Sequence, residues 1–181
     1  SKLAMDKFHS AFPTHYTDVL PIGYPRVKYL MNKLNESSFH EQLKRELKCD
    51  LNKPVLLYAP TWVSDHHDDA LLPISEQLLA KYNVIFKGHV ESEHIAHLPD
   101  GVILPQKGIE TQDLLLISDV VLTDYSSIIF DALTIDKHVC LYTPHHTEYV
   151  EERGVYQDVI DTLKPVWYTD AELLMNDLIT D

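Results

Sequence analysis

The chain has 181 residues, a formal net charge of -13 and an apolar content of 45%, which fits one well-buried globular domain. This negative charge argues against a surface that binds nucleic acid or an anionic membrane as a whole. No apolar run has the length of a membrane span or a signal peptide, and the cysteines, Cys49 and Cys140, are expected to be reduced thiols of a cytosolic protein.

Short apolar runs alternate with helical patterns along the chain. In order, the predicted strands are Val19–Ile22, Val55–Ala59, Val84–Lys87, Val102–Leu104, Val120–Thr123 and Val139–Tyr142. The predicted helices are Tyr24–Asn35, Phe39–Cys49, Ser75–Tyr82, Thr111–Ile117, Ser127–Ile135, Thr147–Arg153 and Asp170–Ile179. This alternation is typical of a parallel sheet, since parallel strands are joined by helical crossovers. The sequence therefore predicts a single α/β domain with helices on both faces of the sheet.

The most informative segment is the polar turn Thr123–Ser127, which joins a buried strand to a helix. Its hydroxyl side chains, Thr123, Ser126 and Ser127, lie where free backbone N–H groups and the helix dipole favour an anion such as phosphate. In an open α/β sheet, ligands bind outside the carboxyl ends of the strands, which is where this turn lies. The alternative interpretation is that one of the serines simply caps the helix.

Polar residues also follow the other predicted strands. These segments are Gly23–Arg26, Pro60–Trp62, Lys87–His89 and Gln106–Gly108. Because strand ends of a doubly wound sheet gather along one edge, they form a cationic rim suited to a diphosphate. His89, beside Lys87, could donate to a phosphate oxygen or act as an acid or base. Each residue taken alone could equally cap a helix or pair with a surface acid.

The chain has 11 histidines, a residue type that commonly binds metal ions. The candidate groups, His66–Asp69, His94 with His97, and His145–His146, lack a recognised zinc spacing, so the sequence predicts no metal site. There is no G-x-S-x-G nucleophile elbow, no P-loop and no G-x-G-x-x-G fingerprint in the chain, which leaves no sign of a serine hydrolase, a P-loop kinase or an NAD enzyme.

Several stretches of the sequence resemble those of a known protein family. The likeness is carried by five stretches: Gly23–Arg26, Leu57–Trp62, Lys87–His89, Ser118–Asp131, and Glu148–Tyr149 with Arg153–Gly154. Together they resemble the C-terminal half of the CDP-glycerol glycerophosphotransferases, the polymerases and primases of teichoic acid synthesis. The resemblance implies a GT-B-type transferase with two Rossmann-like halves, of which this one binds the nucleotide donor.

The resemblance also implies roles for individual residues. His89 would contact the donor diphosphate and assist the leaving CMP, Ser126 and Ser127 would hold phosphate, and Asp131 would be placed for the ribose hydroxyls. No cofactor is implied, because phosphoryl transfer relies on positioning and charge neutralisation. The implied substrate-binding set is Arg26, Thr61, Lys87, Thr123, Asp124, Ser126, Ser127 and Asp131.

Departures from the family pattern concern the substrate. Val63–Asp65, Val90 and Val27–Lys28 stand where the family often has other residues, so CDP-ribitol or a capsule-type donor is an alternative to CDP-glycerol. The family's N-terminal half carries a His-Gly motif that this chain lacks. The resemblance therefore implies that residues 1–181 are one donor-binding domain, inactive alone. A lipid-linked or polymeric acceptor would bind the other half, at the inner face of the cell membrane.

Two further alternatives come from other classes of protein. One is half of a glycosyltransferase that uses a UDP-sugar, which nucleotide preference would distinguish. The other is a non-catalytic α/β module in which Asp119 and Asp124 form a phospho-acceptor pocket with Lys137. No acidic pair follows the first strand, which speaks against this regulatory interpretation.

Overall fold

A parallel β-sheet is the centre of the structure. The computed structural model describes residues 2–12, 18–20, 22–61, 72–88 and 98–180. Within these ranges the strands are β1 (Val55–Tyr58), β2 (Asn83–Phe86), β3 (Val120–Thr123), β4 (His138–Tyr142) and β5 (Trp167–Tyr168). Their spatial order is β2-β1-β3-β4-β5 and every neighbouring pair is parallel. All carboxyl ends therefore lie at one edge of the sheet.

Helices connect and cover the strands. They are α1 (Lys2–Ala11), α2 (Pro25–Lys33), α3 (Ser37–Glu46), α4 (Glu76–Lys81), α5 (Thr111–Ile117), α6 (Ile128–Thr134), α7 (His146–Arg153), α8 (Gln157–Leu163) and α9 (Ala171–Thr180), with a 3-10 turn at Lys164–Val166. Among the helices described, none combines the length and apolar character needed to cross a bilayer.

The strands bury side chains on both faces. Leu57 and Val121 point into a core with residues of α2, α3, α5, α6 and α8. Leu56 and Leu122 point into a second core with residues of α4 and α9. Strands buried on both sides are apolar throughout rather than alternating, which explains why short apolar runs located them in the sequence. The predicted Rossmann-like parallel sheet with helices on both faces is confirmed.

Two predicted strands are wrong. No strand is assigned to residues 18–20 or 22, with Pro21 outside the described residues; Leu20 and Ile22 are exposed, so this run is apolar without being part of the core. The predicted strand Val102–Leu104 is reduced to a single bridge between Ile103 and Ile85. Pro105, which lacks a backbone N–H, follows it and prevents the pairing from continuing.

The strand order reverses beside β1. The crossover through α4 leads outward from β1 to β2, and the crossover through α5 returns to place β3 on the other side of β1. Such a topological switch point opens a crevice at the carboxyl ends of the two strands that flank it, here β1 and β3. The fold therefore places the segments after Tyr58 and after Thr123 on the two sides of the expected ligand crevice.

Asn83 secures the opposite, amino-terminal edge of the sheet. Its Nδ2 donates to the carbonyl oxygens of Asp50 (2.8 Å) and Lys53 (3.0 Å), and its Oδ1 accepts from the Asp50 backbone N–H (2.8 Å). We expect Asn83→Ala to lower the free energy of unfolding by about 1–2 kcal/mol, because these partners lose their hydrogen bonds near the surface. Asn83→Asp should be at least as destabilising as Asn83→Ala, since a carboxylate oxygen would replace the Nδ2 donor and face the two carbonyl oxygens. Urea unfolding of both variants measures this, and an unchanged midpoint in Asn83→Ala would contradict it.

Candidate functional site

The carboxyl ends of β1 and β3 are fastened together at the switch point. The Thr123 hydroxyl donates to the carbonyl oxygen of Ala59 (2.6 Å), and the Ala59 N–H donates to the carbonyl of Leu122 (2.8 Å). Beyond them, the Thr61 N–H donates to both carboxylate oxygens of Asp124 (3.0 and 2.9 Å), and the Thr61 hydroxyl donates to one of them (2.6 Å). We call the Thr61–Asp124 contact the strand-end clasp. It fixes the two polar turns relative to each other.

The carboxylate of Asp124 forms hydrogen bonds with other residues of the chain. Burial raises the pKa of its carboxyl group, and hydrogen bonds from Thr61 and from the backbone of Asp124 and Ser126 oppose this rise. Both carboxylate oxygens accept bonds from Thr61, so the carboxylate shapes the crevice. A phospho-acceptor role, which requires an accessible carboxylate, gains no support from this placement.

The two serines of the turn lie between the clasp and α6. The Ser126 hydroxyl accepts a long bond from the Ile128 N–H (3.4 Å). Ser127 is exposed and precedes α6 without a side-chain capping bond. The alternative that Ser127 caps the helix is therefore wrong, and the Ser126 contact is a weak one. Ser126 is half-buried and Ser127 is exposed, so neither serine belongs to the core.

Arg26 and Asp131 form an ion pair between α2 and α6. Nε of Arg26 donates to Oδ2 of Asp131 at 2.5 Å, and the Asp131 side chain is only 6% exposed, against 36% for Arg26. The guanidinium also lies over the ring of Tyr24, 4.5 Å from its centroid. The pair brings together two predicted site residues that are 105 positions apart. Asp131 thus holds Arg26 in place, in addition to any contact with a ligand.

A shallow surface depression adjoins this ion pair. It is lined by Arg26, Tyr29, Glu110, Gln112 and Asp113. The Tyr29 hydroxyl donates to Asp113 (2.5 Å), and this hydrogen bond is the main cause that raises the pKa of Tyr29 to about 12. Two acids beside one arginine make this depression better suited to hydroxyl groups than to a phosphate.

Lys87 continues the carboxyl end of β2. Its backbone N–H donates to the carbonyl of Tyr58, and its Nζ donates to the carbonyl of Ile109 (3.2 Å). The ammonium is half-buried at the same edge as the clasp. His89, the predicted catalytic residue, lies outside the described residues, as does Trp62.

Sequence reasoning missed an aromatic cluster at the ends of β3, β4 and β5. Tyr125 stacks on Tyr149 with ring centroids 3.5 Å apart, and its hydroxyl lies 3.1 Å from Nδ1 of His146. Trp167 meets the rings of Tyr125 and His146 edge-on, at 5.9 and 4.8 Å, and donates to the hydroxyl of Thr143. Burial is the main cause that raises the pKa of Tyr125 to about 12. Tyr125 and Tyr149 belong to the stretches that carry the family resemblance and His146 to a candidate metal group, but no sequence signal indicated that these rings meet.

Metal-ligand types do not cluster in the part of the chain that the structure describes, where no group of three or more His, Cys, Asp and Glu side chains could hold an ion. Of the candidate groups, His66–Asp69, His94 and His97 lie outside this part. His145 and His146 lie within it, and His145 pairs with Glu148 across 3.8 Å.

Curated relatives are similar to this chain over most of its length. A teichoic acid ribitol-phosphate primase of Bacillus spizizenii is 32% identical over 188 residues, covering 98% of this chain and 48% of the primase. A teichoic acid glycerol-phosphate transferase of Staphylococcus aureus is 29% identical over 166 residues, covering 83% of this chain and 42% of that protein. The chain thus spans about half the length of these relatives.

Solved structures of a teichoic acid polymerase also match this chain. A structure of the wall teichoic acid polymerase TagF superposes with a TM-score of 0.79 at 26% identity, covering 97% of this chain and 46% of TagF. A TagF histidine variant soaked with CDPG superposes with a TM-score of 0.77, also at 26% identity, covering 97% of this chain and 44% of that one. These matches confirm the predicted GT-B-type fold. The family model described as CDP-Glycerol:Poly(glycerophosphate) glycerophosphotransferase matches residues 1–180. The chain belongs to the CDP-glycerol:poly(glycerophosphate) glycerophosphotransferase family.

Proposed function

We propose that residues 1–181 form the donor-binding domain of a teichoic acid glycerol-phosphate or ribitol-phosphate transferase, and that the donor is CDP-glycerol or CDP-ribitol. The observation that carries the proposal is the strand-end clasp at the switch point, where Thr61 and Asp124 fix the turn that ends in Ser126 and Ser127. Ligands of open α/β sheets bind in this crevice. The family supplies the class of ligand, a CDP-activated polyol.

The reaction class defines what the domain has to do. An acceptor hydroxyl attacks the phosphorus that carries the polyol, a new P–O bond forms, and the bond to CMP breaks. Catalysis of such a transfer consists mainly of positioning and of stabilising negative charge. In our proposal Ser126 and Ser127 hold the donor phosphates by hydrogen bonds, and His89 donates to the phosphate that leaves with CMP.

Positive charge must be local because the protein as a whole is strongly acidic, with a formal charge of -13. Arg26 and Lys87 are the cations of the proposed site. The bond from Arg26 to Asp131 uses Nε, and a guanidinium carries further N–H donors that can reach a phosphate or a ribose hydroxyl. Asp131 and Asp124 complete the set as residues that position Arg26 and the turn, with Thr61 and Thr123 as their partners.

The acceptor belongs to the rest of the proposed enzyme. This chain contains no His-Gly dipeptide, the motif expected to supply the general base in the family's other half. We therefore propose that the domain binds donor but transfers nothing by itself. The acceptor, lipid-linked or polymeric, would be presented by the other half at the inner face of the cell membrane.

Calorimetric titration of the full-length protein with CDP-glycerol, CDP-ribitol, CMP and UDP-glucose tests this proposal. We expect selective binding of the CDP compounds, weakened about tenfold or more by His89→Ala, because a hydrogen bond to a charged phosphate is lost. His40→Ala is the matched control, since His40 bonds to the Lys33 carbonyl at the α2–α3 connection. Preference for UDP-glucose would contradict the proposal in favour of a sugar-nucleotide transferase.

A further inference from the structure

The aromatic cluster described above lies directly behind the proposed phosphate-binding turn. We call Tyr125, His146, Tyr149 and Trp167 the aromatic clamp. Tyr125 belongs to the turn itself, between Asp124 and Ser126. The other three members follow neighbouring strands or belong to them: His146 and Tyr149 lie in α7 after β4, and Trp167 begins β5.

The turn is held from two sides by different kinds of contact. On the β1 side the clasp fixes Asp124, whose carboxylate oxygens accept from the N–H (3.0 and 2.9 Å) and the hydroxyl (2.6 Å) of Thr61. On the β4 side the ring of Tyr125 is stacked almost parallel on Tyr149, with an interplanar angle of 3°. The Ser126 hydroxyl, by contrast, has a long 3.4 Å contact with the Ile128 N–H, while the Ser126 backbone bonds to the Asp124 carboxylate and to the Ile129 N–H. The position of the two serines therefore depends on Asp124 and Tyr125, the two residues that precede them in the turn.

The Tyr125 hydroxyl gives this packing a fixed direction. A ring held by stacking alone can slide in its plane, whereas a hydrogen bond at its tip fixes one position. With the imidazole proton on Nε2, the hydroxyl donates to Nδ1 of His146 across 3.1 Å, and its oxygen also accepts from the Thr143 hydroxyl. Trp167 closes the clamp by packing edge-on against the rings of both. The position of Tyr125 is thereby fixed relative to α7 and β5.

We propose that the hydrogen bond between Tyr125 and His146 is a positioning contact for the donor, which sets Ser126 and Ser127 at the distance that the donor phosphates require. The inference rests on the proposed function for its ligand. Neither Tyr125 nor His146 needs to touch the donor. They act through the turn, so their loss changes donor affinity without removing a contact to it.

Three variants separate the hydrogen bond from the packing. Tyr125→Phe keeps the stacked ring and removes the hydroxyl. His146→Phe keeps a ring against Trp167 and removes the acceptor, whereas His146→Asn retains an acceptor oxygen close to the position of Nδ1. In the full-length protein we expect the KM for CDP-glycerol to rise about threefold to tenfold in Tyr125→Phe and in His146→Phe, with a smaller change in kcat.

The double variant and the conservative variant make the test sharper. Tyr125→Phe combined with His146→Phe should raise the KM no further than Tyr125→Phe alone, because Tyr125→Phe already removes the bond to His146 together with the bond to Thr143. His146→Asn should restore most of the affinity. Additive effects, or a His146→Asn variant as weak as His146→Phe, would overturn the proposal.

Tyr82→Phe is the matched control. Tyr82 directly precedes β2, at the amino-terminal edge of the sheet. Its hydroxyl donates to the carbonyl of Leu178 (3.0 Å). The change also removes the hydrogen bond of a tyrosine hydroxyl, here a buried one to a backbone carbonyl and away from the crevice. It should lower thermal stability and leave the KM for CDP-glycerol unchanged. An equal rise of the KM in Tyr82→Phe would reduce the effect of Tyr125→Phe to general destabilisation and overturn the proposal.

Hydrogen exchange of the turn amides separates failure of this inference from failure of the proposed function. We expect faster exchange of residues 124–128 in Tyr125→Phe and unchanged exchange there in Tyr82→Phe. If the wild-type protein binds CDP-glycerol and Tyr125→Phe matches it in KM and exchange, the inference fails and the proposed function stands. If the wild-type protein binds no CDP donor, the proposed function fails, and the inference fails with it because its ligand is lost.

Discussion

Asp124→Ala is expected to lower the free energy of unfolding by about 3 kcal/mol and to weaken binding of CDP-glycerol by tenfold or more. The change removes the acceptor of three hydrogen bonds from Thr61, and hydrogen bonds to a charged group contribute about 1.5–3 kcal/mol each. The stability that these hydrogen bonds contribute is partly offset by the cost of burying the charged carboxylate, the same burial that raises the pKa of this group. Urea unfolding and calorimetric titration of the full-length protein measure the two effects.

Asp119→Ala is the matched control for this prediction. Asp119 precedes β3 and accepts from the Val55 N–H (2.8 Å), so it fastens the same two strands at their amino ends. Asp119→Ala should lower the unfolding free energy by about 1 kcal/mol and leave the affinity for CDP-glycerol unchanged. Equal losses of affinity in the two variants would show that donor binding depends on general stability and not on the strand-end clasp.

Arg26→Ala is expected to lower the free energy of unfolding by about 3 kcal/mol. The change leaves the carboxylate of Asp131, with a side chain 6% exposed, without its charged partner, and an unpaired buried charge costs about 3–5 kcal/mol. Because Arg26 is partly exposed, we expect a loss of stability at the low end of this range. We also expect loss of most CDP-glycerol affinity, because Arg26 is a cation of the proposed site. Urea unfolding and calorimetry measure both effects.

A double-mutant cycle identifies the origin of the stability loss. Arg26→Ala combined with Asp131→Ala should be more stable than Arg26→Ala alone, since no unpaired charge remains. The affinity for CDP-glycerol should not recover. Lys33→Ala removes the exposed pair of Lys33 with Glu36 from the other end of α2 and should cost below about 1 kcal/mol. A double variant less stable than Arg26→Ala would contradict this account of the ion pair.

Much of the fold was predictable because the strands are buried on both faces. Val120–Thr123 was predicted with the bounds that the structure has, as was Thr111–Ile117, since a short apolar run and a helical period are local patterns. Trp167–Tyr168 was not predicted as a strand. It has two residues, both half-buried, and it exists because β4 offers it a parallel neighbour.

The partners within the site could not be predicted from the sequence. The polar turn was identified from its position after a strand and Arg26 from its position after a predicted strand that the described residues do not form, whereas the family resemblance implied that Asp124 and Asp131 would face a ligand. The structure pairs Asp124 with Thr61 and Asp131 with Arg26, across 63 and 105 positions. Such pairs depend on strand register and on how α2 packs, which are properties of the folded chain.

A crystal structure of the full-length protein with CDP-glycerol tests the central claim most directly. The account predicts the donor diphosphate in the crevice at the carboxyl ends of β1 and β3, within hydrogen-bond distance, about 3 Å, of the Ser126 or Ser127 hydroxyl. The clasp between Thr61 and Asp124 should be intact in that complex. A diphosphate bound elsewhere, with Ser126 and Ser127 free of contact to it, would contradict the account.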